Sequence, residues 1–319
     1  MRVAVVVPVS PFESAEIIKN SVKRIKNLDF SNFDFKILYV IDLKDERDER
    51  VRILLKMGVD VLKRRHSRGK RAGAINDAIA YLEDFSPDYV AIFDVDSEPN
   101  RDFLLKLVEA LENDPEAYIA SSPRRISNPV NLCTETIEVE YLLINYLLRK
   151  SGFKQFNGLI GVLRWDILKR YRIDERYVTE DAEFATRMHS IGYKALYVRD
   201  SCVKEQAPLT WKDLFFQRKR WYFGGLQLWN YFSKVKRSRW GFRISWIMSL
   251  TLTYFIAFFS PIIAFSPILL CAKFGGKKIK VSLGLLFHVL ILQSAAFASI
   301  NDFLKGRGIE WRPQKRLVE

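Results

Sequence analysis

The sequence predicts an α/β domain built on a mainly parallel sheet, followed by a helical hairpin that crosses a membrane. Three observations carry this. Apolar β-branched runs alternate with helical patterns over the first hundred residues, as in βαβ units. Two long uncharged stretches, Ile244 to Ala272 and Val281 to Ile300, occupy the tail. Basic residues flank those stretches.

Val3 to Val7 is an unbroken β-branched and alanine run ending at Pro8, the pattern of a strand buried on both faces. Further strands are expected at Lys36 to Ile41, Val59 to Leu62 and Tyr89 to Phe93. Helical patterns fall between them, at Glu13 to Leu28, Asp45 to Met57 and Ala72 to Leu82, with another at Arg101 to Glu112. The start MRVAVVVPVS has no apolar run long enough for a signal peptide and is expected to stay in the cytoplasm as a first strand. Domain boundaries are expected at 1–208 for the catalytic domain, 209–240 for an interfacial amphipathic helix, and 241–319 for the membrane hairpin with a short basic tail.

The formal net charge is +14, and +11 of it lies from Tyr231 onward, where 14 Lys and Arg meet three acids. Those bases flank apolar runs, so an anionic bilayer surface explains them better than a nucleic acid. The uncharged stretches are 29 and 20 residues long, each enough for a crossing of about 20 residues. Five basic residues precede the first, five follow the second and four lie between, which favours both ends inside the cell membrane. Pro261 and Pro267 interrupt the first run and predict a kinked or re-entrant segment. Cys133, Cys202 and Cys271 are scattered and imply neither a disulfide framework nor a zinc site.

In open α/β sheets ligands bind beyond the carboxyl ends of the strands. Pro8 to Ser10, Asp42, and Asp94-Val95-Asp96 occupy those places. Alternation puts Asp94 and Asp96 on one side of the chain, as a hard cation such as Mg²⁺ requires of paired carboxylates. An acidic turn after a strand is also common, and Asp42 can equally be a helix N-cap. Gly69 to Asn76 opens a helix with Lys70 at its start, a place for a phosphate or simply a basic loop. Thr179-Glu180-Asp181 precedes an amphipathic stretch, where Thr179 can cap and a carboxylate can serve as a base. Gln217-Arg218-Lys219-Arg220-Trp221 lies in a helix with recurring aromatic residues, and Gln217, Arg220 and Trp221 share one flank. Arg suits bidentate phosphate contact and an indole suits a sugar face, while the plainer reading is a helix lying on a membrane.

Taken in order, these motifs resemble glycosyltransferase family 2, in its branch of cellulose, chitin, hyaluronan and poly-N-acetylglucosamine synthases. They are a strand-end Asp42, GK-x-x-x-A-x-N at Gly69 to Asn76, DxD at Asp94 to Asp96, TED at Thr179 to Asp181 and QxxRW at Gln217 to Trp221. The likeness covers residues 1 to 230 and extends to Trp311-Arg312-Pro313; the family's usual P-x-Y-N-E loop is here Pro8-Val9-Ser10-Pro11-Phe12-Glu13. The resemblance implies a GT-A fold and an inverting transfer of sugar from a nucleotide-diphosphate donor, uridine-linked in the family's usual form, to a hydroxyl acceptor. It implies that Pro8, Ser10, Asp42, Lys70 and Asp94 contact the nucleotide sugar, and that Asp96 with Asp94 holds Mg²⁺ or Mn²⁺. Asp181 is implied as the general base, with Glu180, Gln217, Arg220 and Trp221 on the diphosphate and acceptor. The acceptor is expected to be a glycan, or alternatively a polyprenyl phosphate or glycolipid. Two further alternatives, a sugar nucleotidyltransferase and a non-catalytic partner subunit, fit less well: Pro8 to Ser14 has no glycine, and the three aspartates are intact.

Overall fold

Val3 to Val7 are buried to the last ångström of side chain, so the first strand sits at the centre of the sheet. The computed structural model describes residues 1–154, 158–309, 312 and 315–317. Trp311 and Pro313 lie outside the described residues. Two compact units are present, one of residues 1–124 and 153–205, the other of residues 125–152 and 206–317.

In the first unit β1 (Arg2–Val9), α1 (Ala15–Lys26), β2 (Asp34–Asp42), α2 (Glu49–Lys56), β3 (Asp60–Arg64), α3 (Lys70–Tyr81) and β4 (Tyr89–Ile92) follow the expected alternation. Then come β5 (Glu98–Pro99), α4 (Phe103–Glu112) and β6 (Ala117–Ser121), before β7 (Arg124–Ile126) leads out of the unit. The second unit contributes α5 (Leu132–Lys150), after which the chain returns as β8 (Gly161–Arg164), α6 (Trp165–Tyr171), α7 (Glu180–Ser190), β9 (Lys194–Tyr197) and β10 (Val203–Glu205). The main sheet runs in the order β3-β2-β1-β4-β8-β6-β9, and only β8 is antiparallel to its neighbours. Strand order reverses between β1 and β4, whose register pairs Val6 with Ile92. That reversal opens a crevice at the carboxyl ends of the two strands. Helices α1, α2 and α4 bury Ile18, Val22, Leu54, Phe103 and Leu107 against the sheet.

The second unit continues with α8 (Trp211–Leu228), a 3-10 turn, α9 (Phe232–Val235) and α10 (Trp240–Leu252). After a 3-10 segment at Thr253–Phe259 follow α11 (Ser260–Ile263), α12 (Ser266–Phe274) and α13 (Val281–Leu304). The first apolar run is therefore divided into pieces instead of forming one helix over 244–272. The backbone leaves helical geometry at Phe255, and Pro261 and Pro267 each remove an amide donor from the ladder. The second run is a continuous helix of 24 residues.

Arg50, on α2, is 1% exposed and locks two loops at the strand ends, β1 to α1 and β2 to α2. Its guanidinium donates to the carbonyls of Ser10 (2.9 Å), Glu13 (3.2 Å) and Asp42 (2.8 Å). The same group pairs with Asp48, the α2 N-cap, at 2.5 Å. Burial pushes the Asp48 carboxyl up, but hydrogen bonds from Arg50 and the Lys44 amide outweigh it and hold the pKa at about 2. A carboxyl held below its ordinary 3.8 stabilises the fold above that value and loses the contribution as pH falls toward 2. Arg50→Met should cost about 3 kcal/mol in urea unfolding at neutral pH, because it leaves a buried carboxylate unpaired. It should also flatten the loss of stability between pH 4 and 2 that the parent chain shows.

Candidate active site

Asp42, the last residue of β2, is buried and forms an ion pair with Arg64, whose Nη1 lies 2.9 Å from Asp42 Oδ1. It does not cap α2, a role that Asp48 takes. Burial raises the Asp42 pKa, and Arg64 opposes that rise. Arg64 also pairs with Asp77 at 2.8 Å and donates to the Lys70 carbonyl at 3.1 Å. One arginine at the end of β3 thus fixes both a strand-end carboxylate and the first turn of α3.

That first turn is crowded. Gly69 and Lys70 both adopt left-handed φ, 61° and 50°, and Lys70 is exposed at the helix start. A Cβ on Gly73 would lie 2.9 Å from Arg64 Nη2 and from the Arg68 carbonyl carbon, so only glycine lets the loop fold back on the helix. Asn76 grips the segment before TED, donating to the Ile173 carbonyl (2.8 Å) and to Glu175 (3.0 Å) and accepting from the Ile173 amide (2.9 Å). Gly69, Gly73 and Asn76 of the GK-x-x-x-A-x-N motif are scaffold.

The scaffold delivers Arg71. Its Nε donates to Asp94 Oδ1 at 2.9 Å and its Nη1 to Glu180 Oε1 at 3.0 Å. The acidic turn after β4 and the first turn of α7 are therefore held by one guanidinium. Nη2 is buried and has no hydrogen-bond partner among the described residues. Burial works against the charge on Arg71, but Asp94, Glu180 and Asp181 together outweigh it and move the pKa upward. Reading the motifs singly missed Arg71, although its place beside Lys70 was a signal.

Asp96 is 5% exposed, while Asp94 is half-buried. Among the described residues no three His, Cys, Asp or Glu side chains gather into a metal cluster. Asp181 sits beside Gly158, whose Cβ would lie 3.4 Å from Asp181 Oδ2 and 3.7 Å from Arg124 Nη1. Gly158 has φ 95°, which a side chain would strain. Thr179 occupies the N-cap position of α7 without making a cap hydrogen bond, and its buried hydroxyl has no partner among the described residues. Pro8 and Ser10 end β1 and follow it, and the Ser10 hydroxyl accepts from the Phe12 amide at 3.3 Å.

Gln217, Arg220 and Trp221 belong to the second unit, on α8, and are half-buried. Arg218, between them, is buried, lies over the Trp221 ring at 4.1 Å and pairs with Glu140 at 2.5 Å. One face of the Trp221 indole is therefore taken by a neighbouring cation. His288 Nε2 lies 3.3 Å from the same Glu140 carboxylate. Burial raises the Glu140 pKa, but Arg218 and His288 overcome it and leave the carboxyl below its ordinary value.

The family described as glycosyl transferase family group 2 matches residues 89–291, and glycosyl transferase family 2 matches residues 5–171. The chain belongs to glycosyltransferase family 2. Among curated members it is similar to a probable glucomannan 4-beta-mannosyltransferase 2 of Oryza sativa subsp. japonica, 29% identical over 231 residues, covering 68% of this chain and 38% of the relative. It is also similar to the probable glycosyltransferase YdaM of Bacillus subtilis (strain 168), 25% identical over 279 residues, covering 82% of this chain and 64% of the relative. This chain thus spans less than two thirds of the length of these family 2 relatives. Among solved structures, the mannosyltransferase PcManGT from Pyrobaculum calidifontis, in complex with GDP-Man and Mn²⁺, has a TM-score of 0.70 at 19% identity, covering 96% of this chain and 88% of that one. The shared fold is the GT-A-like α/β architecture with a mostly parallel central sheet.

Arg71→Met should lower glycosyl transfer by about 10²-fold, as expected for losing a fixed charge in a site of this kind, and kinetics on a refolded-competent variant will read it. Gly158→Val should lower transfer at least as far and also lower the melting temperature, because the side chain is strained at φ 95° and meets Asp181.

Proposed function

We propose that the chain is a membrane-bound, inverting hexosyltransferase that moves a sugar from a nucleotide-diphosphate donor onto a glycan hydroxyl, forming a β-linkage. The observation that carries this is the single guanidinium of Arg71 bonded to both Asp94 and Glu180. It joins the donor-side acidic turn to the helix that carries Asp181, the residue proposed as base.

In the reaction Asp181 takes the proton of the acceptor hydroxyl, whose oxygen attacks the anomeric carbon as the bond to the diphosphate breaks on the opposite face. Asp42 and the Pro8–Ser10 segment bind the nucleoside, and Lys70 lies on its phosphate side. Arg71, with Nη2 still unspent among the described residues, offers a further donor to a developing anion. Gln217, Arg220 and Trp221 are proposed to hold the diphosphate and the acceptor sugar.

Asp94 and Asp96 fit a hard cation, which takes one or two carboxylates and completes its shell with phosphate oxygens and water. The lack of a third carboxylate in a cluster, among the described residues, suits a site that the donor completes. Mg²⁺ or Mn²⁺ held there would supply positive charge to the leaving diphosphate. The Mn²⁺ in the PcManGT complex supports this choice. The relatives' names, and GDP-Man in that complex, favour a mannosyl donor on guanosine diphosphate over the uridine donor of the family's polymer synthases.

The two apolar segments attach the enzyme to the cell membrane, with the first unit on the cytoplasmic side. The exposed apolar residues of α10 to α13 favour a second reading, in which the acceptor is lipid-linked.

A screen of radiolabelled GDP-mannose and UDP-sugars, with Mn²⁺ or Mg²⁺ and membrane extract, tests the proposal. Label should pass from GDP-mannose into product, and partition of that product separates a lipid acceptor from a glycan. No nucleotide release from any donor would refute the enzyme reading. Asp181→Asn should reduce turnover by about 10³-fold with donor affinity retained; near-normal turnover would remove Asp181 as base. Chelation should abolish transfer and added Mn²⁺ restore it, whereas activity that survives chelation would take the metal role from Asp94 and Asp96.

A further inference from the structure

We infer that the C-terminal helices lie in one leaflet of an anionic membrane and do not cross it. This rests on the membrane-bound reading above and changes how the membrane is held. The decisive feature is the pairing of α13 with α8 inside the second unit.

The two helices run side by side in the same direction. Near their starts the rings of Trp211 and Phe287 are 6.4 Å apart. Midway, Tyr222 packs with Leu292, Ala295 and Ala296. Farther on, Phe223 and Phe303 are 5.5 Å apart, and Lys219 pairs with Asp302 at 2.5 Å. Whatever inclination α13 has to a bilayer, α8 shares. Yet α8 carries Gln217, Arg218, Lys219 and Arg220 in its middle, and each charge at the centre of a bilayer costs about 2.5–3.5 kcal/mol.

A third helix imposes the same limit. Lys280 pairs with Glu135 at 2.7 Å, Lys278 pairs with Glu138, and His288 lies against Glu140, so α5 accompanies the first half of α13. The start of α5 is tied to the approach to α8, with the Asn131 side chain donating to the Leu209 carbonyl at 3.0 Å. If α13 crossed, the acidic side chains of α5 would be carried through the hydrocarbon with it. At about 36 Å α13 is long enough to span, but its partners are not apolar enough.

The exposed faces complete the picture. On α10 the exposed side chains Trp240, Ile244, Met248 and Leu252 recur every fourth residue, while Phe242, Trp246 and Leu250 are buried. On α13 Leu283, Leu286, Leu290 and Phe297 are exposed, and Phe287, also exposed, borders Trp211 of α8. The faces opposite these stripes are packed inside the second unit, so the exposed stripes are the surface left to meet lipid. Helix α12, 9 residues long, is too short to cross alone, and the 19-residue stretch Trp240–Phe258 that α10 opens leaves helical geometry at Phe255. The occupant is an anionic leaflet because 14 Lys and Arg against three acids flank these stripes from Tyr231 onward.

The test is two-part and uses the full chain. Flotation with phosphatidylcholine–phosphatidylglycerol vesicles reads membrane binding itself. Sidedness is read with Cys271→Ser combined singly with Lys277→Cys, before α13, or Lys305→Cys, after it; both lysines are exposed. An impermeant maleimide is applied to sealed inside-out and right-side-out vesicles from expressing cells. The chain should float, and both cysteines should label from the same side, at least tenfold more in one orientation than the other. Labelling from opposite sides, with flotation intact, would show that α13 spans and overturn this inference while leaving membrane binding standing. A chain that does not float, whether monomeric or as a dimer covering the stripes with a second copy, would overturn the membrane reading as well.

Discussion

Carboxylates gathered at one edge of a sheet repel each other unless a cation is held among them, and here that cation is Arg71. Its Nε and Nη1 reach Asp94 and Glu180, which are 86 residues apart in sequence, and Asp181 adds to the field that keeps it charged. A lysine could offer a point charge but not two fixed, divergent donors. Much of the surrounding structure serves to present this one side chain. Arg64 ties the first turn of α3 to Asp42 and Asp77, Gly73 lets the loop pass close, and Asn76 fixes the segment leading to Thr179. The strand reversal between β1 and β4 gives that assembly an open crevice to face.

The second unit is held by the same kind of ion pairing. Glu140 is buried between Arg218 and His288, on three different helices. Buried charge of this kind is a weak source of net stability, but breaking it is costly, so it fixes which helix faces meet. Arg218 in turn lies on Trp221, so the geometry of the QxxRW segment depends on a residue of α5. The apolar residues not used in that packing remain on the surface, a patch larger than a soluble monomer ordinarily leaves uncovered.

The first half of the sheet was legible in sequence because β1, β2 and β4 are buried on both faces and read as unbroken apolar runs. The strands β6, β8 and β9 are four or five residues long with no such run, and nothing local marks β8 as antiparallel. Asp42, Asp94 and Asp96 were singled out because ligands bind beyond the strand ends of such sheets. Arg50, Arg64, Arg71 and Arg218 were not, because a buried arginine looks like a surface one until its distant partner is known. Pro261 and Pro267 announced an interruption of Ile244 to Ala272, but neither the earlier departure from helical geometry at Phe255 nor the division into four helical pieces could be read from hydropathy.

The central claim is that the acidic turn after β4 and the start of α7 act as one site through Arg71. A double-mutant cycle on Asp94→Asn and Glu180→Gln, reading metal-dependent GDP-mannose affinity by calorimetry, tests it most directly. If the claim holds, the two changes are non-additive, with a coupling of about 1 kcal/mol or more that disappears in the Arg71→Met background. Strict additivity, with or without Arg71, would mean that the two segments work independently and would contradict the account.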